Sequence, residues 1–279
     1  MSSARAGTLY LVSTPIGNLG DMTHRAVEVL SSAALIIAED TRHSRRLLDH
    51  YHISTPLRSY HEHNEAKETP KLVARLRAGD SIALISDAGT PLISDPGSRL
   101  VSAAVEANLP VVPIPGASSV MAALVASGMS LEKFTFLGFL PRKGRERSET
   151  MAEVVASHST VVLFEAANRV GATLDALAEA GAGERPAVVA RELTKQFEEF
   201  RRGSVAELAA VYADADPKGE VVLVIAGAEK PRVTESELSD AAKKLRASGN
   251  SPRDVLEHLV SGLGAPRNLA YRITHESES

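Results

Sequence analysis

The sequence predicts an α/β protein with a largely parallel sheet in its first half, a mixed sheet in its second half and a small helical tail. In the first half, short apolar runs rich in β-branched residues alternate with helix-like segments, which is typical of parallel sheets with helices on their faces. In the second half, some strand-like runs follow one another without an intervening helix, which indicates a mixed sheet. The 279 residues are enough for two domains or one large one.

The first half is predicted to contain four strands and five helices. Thr23 is a favourable N-cap for the first helix, and Leu72, Val73 and Leu76 have helical apolar spacing in the third. The predicted strands are Leu9–Ser13, Ala34–Ala38, Ser81–Ser86 and Pro110–Pro113. The predicted helices are Thr23–Ser32, Arg42–Tyr51, Glu65–Ala78, Ser98–Ala107 and the small-residue segment Ser118–Ala126.

The second half is predicted to contain five strands and three helices, followed by the tail. Ser204 is a favourable N-cap for the last of these helices. The predicted strands are Phe134–Leu137, Thr160–Glu165, Ala187–Arg191, Phe197–Gly203 and Glu220–Ala226, and the predicted helices are Thr150–Ala156, Arg169–Ala180 and Ser204–Ala213. Tail helices are expected at Thr234–Ser248, Pro252–Ser261 and Ala265–Ile273. We therefore expect α/β domains at 1–116 and 117–230 and a helical tail at 231–279.

The composition excludes several classes of protein. Hydrophobic residues make up 44% and charged residues 24%, which are globular values, and the absence of cysteine rules out disulfides, thiolate zinc sites and a cysteine nucleophile. No signal-peptide pattern and no membrane-spanning apolar run is present, so a cytoplasmic protein without membrane contact is expected. The net charge is −4 and aromatic residues are only 4%, so contact with nucleic acid must be local and a binder built on stacked aromatics is disfavoured.

Two Gly- and Pro-rich loops follow predicted strands, where open α/β sheets bind ligands. The loop Ser13–Asp21 is not a G-x-G-x-x-G fingerprint, and Pro15 removes a donor amide, which disfavours dinucleotide binding and leaves a structural turn as the alternative. The loop Asp87–Gly97 contains two carboxylates, two prolines and two glycines and suits a small polar ligand. Its alternative is a structured turn in which Asp95 caps the following helix.

Two further loops are weaker candidates. Pro113–Ser119 enters a helix, so its amides and hydroxyls either hold an anion or cap the helix through Ser118 or Ser119. Lys218–Glu220 opens the last strand and by itself resembles a solvated turn.

Five of the nine histidines fall between His43 and His63, close to Asp40. Their spacing matches no zinc pattern, and no metal site is predicted. Asp40, His61 or His63 could instead take a proton as a general base. Arg42, Arg45 and Arg46 either attract an anionic partner or form a solvated helix face, and the basic loop Pro141–Arg147 either contacts nucleic-acid phosphates or is likewise solvated.

Taken together and in this order, the loops resemble those of the tetrapyrrole methylase superfamily, and closely those of its ribosomal RNA small subunit methyltransferase I family. The resemblance spans roughly Thr8–Ala228. It is carried by T-P-I-G-N-L-G-D at Thr14–Asp21, A-E-D-T-R-H at Ala38–His43, H-E-H-N-E at His61–Glu65, S-D-A-G-T-P-L-I-S-D-P-G at Ser86–Gly97, G-F-L-P at Gly138–Pro141, A-R-E-L-T-K at Ala190–Lys195 and K-G-E at Lys218–Glu220.

The resemblance implies two α/β domains with a cofactor cleft between them and a homodimer. It implies methyl transfer from S-adenosyl-L-methionine to the ribose 2′-hydroxyl of a cytidine in the decoding region of 16S rRNA, within the small ribosomal subunit. The implied cofactor residues are Pro15, Ile16, Gly17, Asp87, Ala88, Gly89, Thr90, Ala117, Ser118, Ser119, Phe164, Glu165, Leu193, Thr194, Lys218, Gly219 and Glu220. The implied RNA-binding residues are Arg42, His43, His63, Asn64, Arg142, Lys143, Arg145 and Arg147.

The chain departs from the family pattern at F-E-A-A-N-R, Phe164–Arg169, where the family commonly has Y-E-S-P-H-R. The tyrosine hydroxyl and the histidine are absent, and Asn168 cannot act as a base. Ala117 likewise stands where the family often has proline. Because a ribose hydroxyl is a poor nucleophile near neutral pH, a base or cationic neighbour should assist it, and the candidates are Asp40, His61 and Lys195.

Three other functions remain open at this point. A methyltransferase acting on a small tetrapyrrole precursor would share the cofactor loops but would not need Arg142–Arg147 or A-E-D-T-R-H. A non-catalytic RNA-binding protein would not need the Asp87–Gly97 loop. An NAD oxidoreductase is opposed by the missing dinucleotide fingerprint.

Overall fold

The computed structural model describes residues 6–213, 217–229 and 234–276 and divides after Ala228 into two compact units. The first unit contains two five-stranded sheets, and the second is helical. This architecture confirms the predicted α/β class with a C-terminal helical segment, and the division lies close to the predicted start of the tail at residue 231.

The first sheet is parallel throughout and has the strand order β3-β2-β4-β1-β5. Strands β2 and β4 are buried along their whole length because helices cover both faces. The strands are β1 (Leu9–Val12), β2 (Leu35–Ala38), β3 (Leu57–Ser59), β4 (Ile82–Ile85) and β5 (Val111–Ile114), and the helices are α1 (His24–Ser32), α2 (Thr41–His50), α3 (Glu65–Arg77) and α4 (Ser98–Glu106). The sequence analysis missed the short strand β3.

The second sheet has the order β6-β7-β10-β8-β9, in which only the β6–β7 pair is parallel. This confirms the mixed sheet predicted from strands that follow one another without a helix. Its strands are β6 (Phe134–Phe139), β7 (Thr160–Ala166), β8 (Pro186–Arg191), β9 (Glu199–Ser204) and β10 (Glu220–Ile225), and the accompanying helices are α5 (Ser119–Ser127), α6 (Gly144–Ala156), α7 (Val170–Leu177) and α8 (Val205–Val211).

Helix α5 packs on one face of the second sheet, where Val120, Ala123 and Leu124 meet Val162 and Val222. The other three helices of this half cover the opposite face. Helix α5 therefore belongs to the core of the second sheet, and the predicted boundary at residues 116–117 stays a prediction.

The largest difference from the predicted elements is the start of α6, which begins at Gly144 rather than Thr150. Arg145 pairs with Glu149 one turn later at 2.6 Å, and Arg147 donates hydrogen bonds to Pro141 O and Thr173 Oγ1. The prediction of a loop over Pro141–Arg147 is therefore wrong from Gly144 onwards. Helical pairing at i,i+4 and the hydrogen bond to a distant residue stabilise the additional helical turn.

The second unit contains α9 (Glu235–Ala247), α10 (Pro252–Glu257) and α11 (Arg267–Glu276) around a small core that includes Leu238, Val255 and Leu259. A single π-type turn, His258–Gly262, continues α10. Helices at these three places were predicted, with boundaries that differ by up to four residues. In the part of the chain that the structure describes, every helix falls short of the length and apolarity needed to cross a bilayer.

Candidate functional site

Three loops interlock at the carboxyl edge of the first sheet, after β1, β4 and β5. Thr14 and Gly89 exchange main-chain hydrogen bonds of 2.9 and 3.0 Å, and Ser86 Oγ donates to Gly89 O at 2.7 Å. Thr90 Oγ1 donates to Ala117 O at 3.3 Å. These bonds fix the loops relative to one another, so they form a preformed surface rather than independent turns.

A cleft of about 340 Å³ lies between these loops and the edge of the second sheet. The three Gly- and Pro-rich loops of the first half form one wall, and the ends of β7 and β8 with the start of β10 form the other. Its lining residues are Ile16, Asp87, Ala88, Gly89, Thr90, Ile93, Ser94, Asp95, Ser118, Ser119, Val120, Phe139, Phe164, Glu165, Ala166, Leu193, Gly219, Glu220, Val221 and Val222.

The cleft combines apolar walls with acidic groups. Ile16, Val120, Leu193 and Val222 supply apolar surface against which a flat ring can pack. Four acidic residues, Asp87, Asp95, Glu165 and Glu220, line the same cavity, and the side chain of Glu165 is itself fully buried. Such a site fits a small ligand that has an aromatic ring and carries positive charge.

Two of the four carboxylates are held by cations. Glu165 is buried and accepts hydrogen bonds from Arg169 Nε at 2.7 Å and Thr173 Oγ1 at 2.6 Å. Glu220 accepts from Lys195 Nζ at 2.7 Å. A third, Asp87, accepts a hydrogen bond of 3.2 Å from the main-chain amide of Asp40.

Asp95 is the fourth carboxylate and has no such partner among the residues that the structure describes. Burial, together with the negative charges of Glu39 and Asp87, raises the pKa of Asp95 to about 6. The alternative that Asp95 caps helix α4 is wrong, because the N-cap residue is Gly97 and no side chain accepts a hydrogen bond there. Asp95 thus lies in the cleft as a carboxylate whose pKa is raised well above its ordinary value.

We expect Asp95→Asn to stabilise the folded protein above pH 6. A carboxyl group whose pKa is raised by folding binds protons more tightly in the folded state, so its ionisation destabilises the fold as pH rises from about 4 to 6. The variant removes that ionisation. Thermal unfolding should give nearly equal melting temperatures for both proteins at pH 4 and a higher melting temperature for the variant at pH 8. Equal melting temperatures of the two proteins at both pH 4 and pH 8 would contradict the environment described for Asp95.

Most residues that the resemblance implies for cofactor binding line the cleft, and five do not. The five are Pro15, Gly17, Ala117, Thr194 and Lys218. At position 17 packing requires a glycine, because a β-carbon there would lie 2.4 Å from Lys195 Cγ and 3.0 Å from Leu193 O. Glycine therefore lets the turn after β1 approach the loop after β8 directly.

The sequence analysis missed several residues of the cleft as ligand contacts. They are Ile93, Ser94, Asp95, Val120, Phe139, Ala166, Val221 and Val222. Ile93 and Asp95 belong to the quoted Asp87–Gly97 loop and Phe139 to the quoted G-F-L-P segment, so the motifs contained a signal for them. The sequence contained no such signal for Val221 and Val222, because apolar residues in a strand are typical of an ordinary hydrophobic core.

The geometry disfavours Asp40 as a proton acceptor. Its carboxylate caps helix α2, accepting from Arg42 N at 2.8 Å and His43 N at 3.4 Å, and pairs with the Arg42 guanidinium at 3.1 Å. The side-chain and main-chain hydrogen bonds from Arg42 lower the pKa of Asp40 to about 2. A carboxylate so engaged is a weak base, and Asp40 is absent from the cleft lining.

The His61–Asn64 segment forms a turn outside the cleft lining. Asn64 Oδ1 accepts from His61 N at 3.0 Å, and Asn64 Nδ2 donates to Ser59 O at 3.1 Å, so Asn64 shapes the entry to α3. His61 packs edge-on against the exposed His63, with ring centroids 6.0 Å apart. The base role of His61 and the RNA contacts of His63 and Asn64 stay predictions.

Lys195 is fixed by two carboxylates at the rim of the cleft. Its Nζ donates to Glu192 Oε1 at 2.8 Å and Glu220 Oε2 at 2.7 Å. Burial lowers the pKa of Lys195, but the two hydrogen bonds and their charges outweigh that effect and raise it. Lys195 is therefore a cation at neutral pH and cannot serve as a base.

Exposed basic side chains follow two strands that end near the cleft. Arg42 and His43 lie on the exposed face of α2, directly after β2, and Arg142, Lys143 and Arg145 follow β6. Arg147 differs, since its hydrogen bonds to Pro141 O and Thr173 Oγ1 tie it to the protein.

Within the described ranges no group of three or more histidines and acids is arranged to hold a metal ion.

Comparisons with a family model and with individual proteins agree on one family. A family model described as Tetrapyrrole (Corrin/Porphyrin) Methylases matches residues 8–209. A protein of Synechocystis sp. named Ribosomal RNA small subunit methyltransferase I is 47% identical over 276 residues, covering 98% of this chain and 99% of its own length. Proteins with the same name from Mesorhizobium japonicum and Bacillus subtilis are 52% identical over 222 residues (79% of this chain, 76% of theirs) and 44% identical over 276 residues (96% and 94%).

Solved structures share the fold at low sequence identity. Cobalt precorrin-4 methyltransferase superimposes with a TM-score of 0.61 at 17% identity, covering 78% of this chain and 94% of its own. Diphthine synthase gives 0.59 at 14% (78% and 89%), and uroporphyrin-III C-methyl transferase from Thermus thermophilus complexed with S-adenyl homocysteine gives 0.56 at 18% (79% and 97%). At these identities the likeness shows the fold alone.

Proposed function

The chain belongs to the tetrapyrrole methylase family, and within it to the ribosomal RNA small subunit methyltransferase I proteins, and from this premise we propose that it methylates the ribose 2′-hydroxyl of a cytidine in the decoding region of 16S rRNA. The methyl donor of the family is S-adenosyl-L-methionine. The acceptor is the 16S rRNA of the small ribosomal subunit, and the working enzyme is a cytoplasmic homodimer in which 1–116 and 117–230 are the two α/β domains.

The cleft carries the cofactor part of this proposal. Its apolar walls fit the adenine ring and the methylene chain, and the carboxylates of Asp87 and Glu220 fit the positive charges of the donor. Because the sulfonium already activates the methyl group, the protein has to hold donor and acceptor in line and exclude water. The loops around Gly89 are rigid enough for this task, because Thr14 and Ser86 form hydrogen bonds to Gly89 and Thr90 forms one to Ala117.

The exposed cations beside the cleft support RNA as the methyl acceptor in this proposal. The chain as a whole is acidic, with a net charge of −4, yet Arg42, Arg142, Lys143 and Arg145 are all exposed after strands whose ends approach the cleft. Cations so placed can contact phosphates on either side of a nucleotide that enters the cleft. A small tetrapyrrole acceptor would make no use of them, and this separates the proposal from its alternative.

The test is methyl transfer from labelled S-adenosyl-L-methionine to purified small subunits and to naked 16S rRNA, with the modified nucleotide mapped. Label on a single cytidine ribose supports the proposal, and the preferred acceptor shows whether a folded subunit is recognised. Labelling of a tetrapyrrole precursor instead, with neither RNA labelled, would establish the alternative function.

The variant Arg142→Gln/Lys143→Gln/Arg145→Gln is expected to bind 16S rRNA more weakly without changing cofactor affinity. Each removed phosphate contact should reduce the slope of log K against log salt concentration by about 0.7 to 0.9. Filter binding over a range of salt concentrations measures this slope. Arg77→Gln is the matched control, because Arg77 is exposed at the end of α3 that leads into the start of β4, at the opposite edge of the sheet. An unchanged slope in the triple variant would contradict the role of these cations.

A further inference from the structure

The outer part of the cleft is formed by residues outside the implied cofactor set. Ile93, Ser94 and Asp95 contribute from the loop after β4, and Phe139 contributes from the end of β6. The two segments meet, since a β-carbon at Gly138 would lie 3.5 Å from Ser94 Oγ. A second pocket wall is thus built from both halves of the first unit, next to the cofactor residues.

Phe139 is an exposed aromatic ring at the mouth of this region. It is 60% exposed, and its neighbour in the cleft, Ile93, is 43% exposed. On its inner side the Phe139 ring lies 5.2 Å from that of Phe164, which in turn lies 4.9 Å from Phe136. The ring is therefore supported from the core while its outer side is free, which is the arrangement that stacks an unpaired base.

Asp95 differs from the other carboxylates of the cleft in its hydrogen bonding. Glu165 is held by Arg169 and Thr173, Glu220 by Lys195, and Asp87 by a main-chain amide. No side chain or main-chain amide in the described ranges donates a hydrogen bond to Asp95. Its oxygens remain available to a ligand in the cavity that they line.

We propose that Ile93, Asp95 and Phe139 form the acceptor subsite, in which Phe139 stacks the base of the target nucleotide and Asp95 accepts the proton of its ribose hydroxyl. This inference rests on the proposed function and identifies the acceptor site and the base of that reaction. The hydroxyl oxygen forms a bond to the methyl carbon, the carbon–sulfur bond breaks with its electron pair going to sulfur, and the hydroxyl proton passes to the Asp95 carboxylate.

The charges that face Asp95 are consistent with this role. Glu39 at the end of β2 and Asp87 in the same loop as Asp95 are its acidic neighbours, and Glu165 and Glu220 line the opposite wall. The pKa of Asp95, raised to about 6 by burial and these neighbours, leaves it ionised at neutral pH but more basic than an ordinary carboxylate. A general base works best when its pKa lies close to the operating pH.

The test compares Asp95→Asn with the native full-length chain in single-turnover methyl transfer to small subunits. We expect the rate to fall by about 100-fold or more, with cofactor affinity unchanged by calorimetry. The native rate should rise with pH on an acid limb at or below about pH 6, and this limb should vanish in the residual rate of the variant. Asp49→Asn, an exposed acid at the far end of α2, is the matched control and should behave as the native chain.

The base-stacking part is tested separately. Phe139→Ala should raise the KM for the RNA substrate by about tenfold with little change in cofactor affinity, and Phe139→Trp should restore it. Phe197→Ala is the control, because Phe197 is 65% exposed but lies outside the cleft.

Each outcome separates this inference from the proposed function. A native rate in Asp95→Asn, or an unchanged KM in Phe139→Ala, overturns the acceptor subsite while methylation by the native chain still stands. Loss of cofactor binding in Asp95→Asn would make Asp95 a cofactor ligand and overturn its role as base. No transfer of label to RNA by the native chain overturns the proposed function itself, and the subsite with it.

Discussion

Glu165→Ala is expected to lower the free energy of unfolding by about 3–5 kcal/mol, the range for breaking a buried ion pair by removing one partner. The Glu165 side chain is fully buried and accepts hydrogen bonds from Ala166 N at 2.8 Å, Arg169 Nε at 2.7 Å and Thr173 Oγ1 at 2.6 Å. Alanine removes this acceptor from a buried hydroxyl and from a cation that is only 23% exposed and keeps a single hydrogen bond, from Arg169 Nη2 to Leu140 O. The loss also removes the link between the end of β7 and the start of α7.

Urea unfolding followed by far-ultraviolet circular dichroism measures this effect, since the chain has no tryptophan to report by fluorescence. Glu165→Gln should fall between the native chain and Glu165→Ala, because an amide keeps an acceptor oxygen but loses the charge. The exposed pair Arg145–Glu149 provides the control, and Glu149→Ala should lower stability by only about 0.5 kcal/mol or less. Equal losses in Glu165→Ala and Glu149→Ala would contradict the ion-pair argument.

Gly89→Ala is expected to weaken binding of S-adenosyl-L-methionine by about 10- to 100-fold. Gly89 has φ +81° on the floor of the cleft, and a β-carbon would lie 3.2 Å from Ile16 Cγ2. A left-handed conformation costs a residue with a side chain about 1–2 kcal/mol, and the contact with Ile16 adds to it. Relief of this strain requires movement of the Thr14–Gly89 bridge, which holds two loops of one cleft wall together.

Gly128→Ala separates the backbone strain from the effect on the cleft. Gly128 has φ +78°, ends α5 in the left-handed conformation and has no atom within 4 Å of its would-be β-carbon. It lies outside the lining of the cofactor cleft. Both variants should lose stability in thermal unfolding, Gly89→Ala somewhat more because of its contact with Ile16, but only Gly89→Ala should lose cofactor affinity by calorimetry. Normal affinity in Gly89→Ala would show that the bridge is not needed to shape the site.

Most elements could be predicted from the sequence because their signals are local. Thr23 and Ser204 cap the helices for which they were predicted, and Ser204 forms a reciprocal capping box with Glu207. The mixed second sheet followed from strands without an intervening helix. The prediction of the start of α6 was wrong because its signal is not local. Arg147 is anchored by Thr173, which is 26 residues away and belongs to another helix.

The candidate site was predicted in part for the same reason. Loops that follow parallel strands meet at one edge of a sheet, so their order along the chain was enough to bring Ile16, Gly89 and Ser118 to one cavity. The roles of individual charged groups were not predictable in this way. Asp40 was the first candidate for the base, yet its carboxylate caps helix α2, and hydrogen bonds from Arg42 lower its pKa to about 2.

The sequence by itself determined the α/β class, the order of most strands and helices along the chain, and the loops that line the cleft. These depend on side-chain periodicity and on caps, which act over a few residues. Only the tertiary structure decided the surroundings of each carboxylate in the cleft. Asp95 owes its raised pKa to burial, to Glu39 directly after β2 and to Asp87, whereas Glu165 and Glu220 are held by cations. The pKa of a carboxyl group depends on desolvation and on charges close to it in space, and those neighbours are set only when the chain has folded.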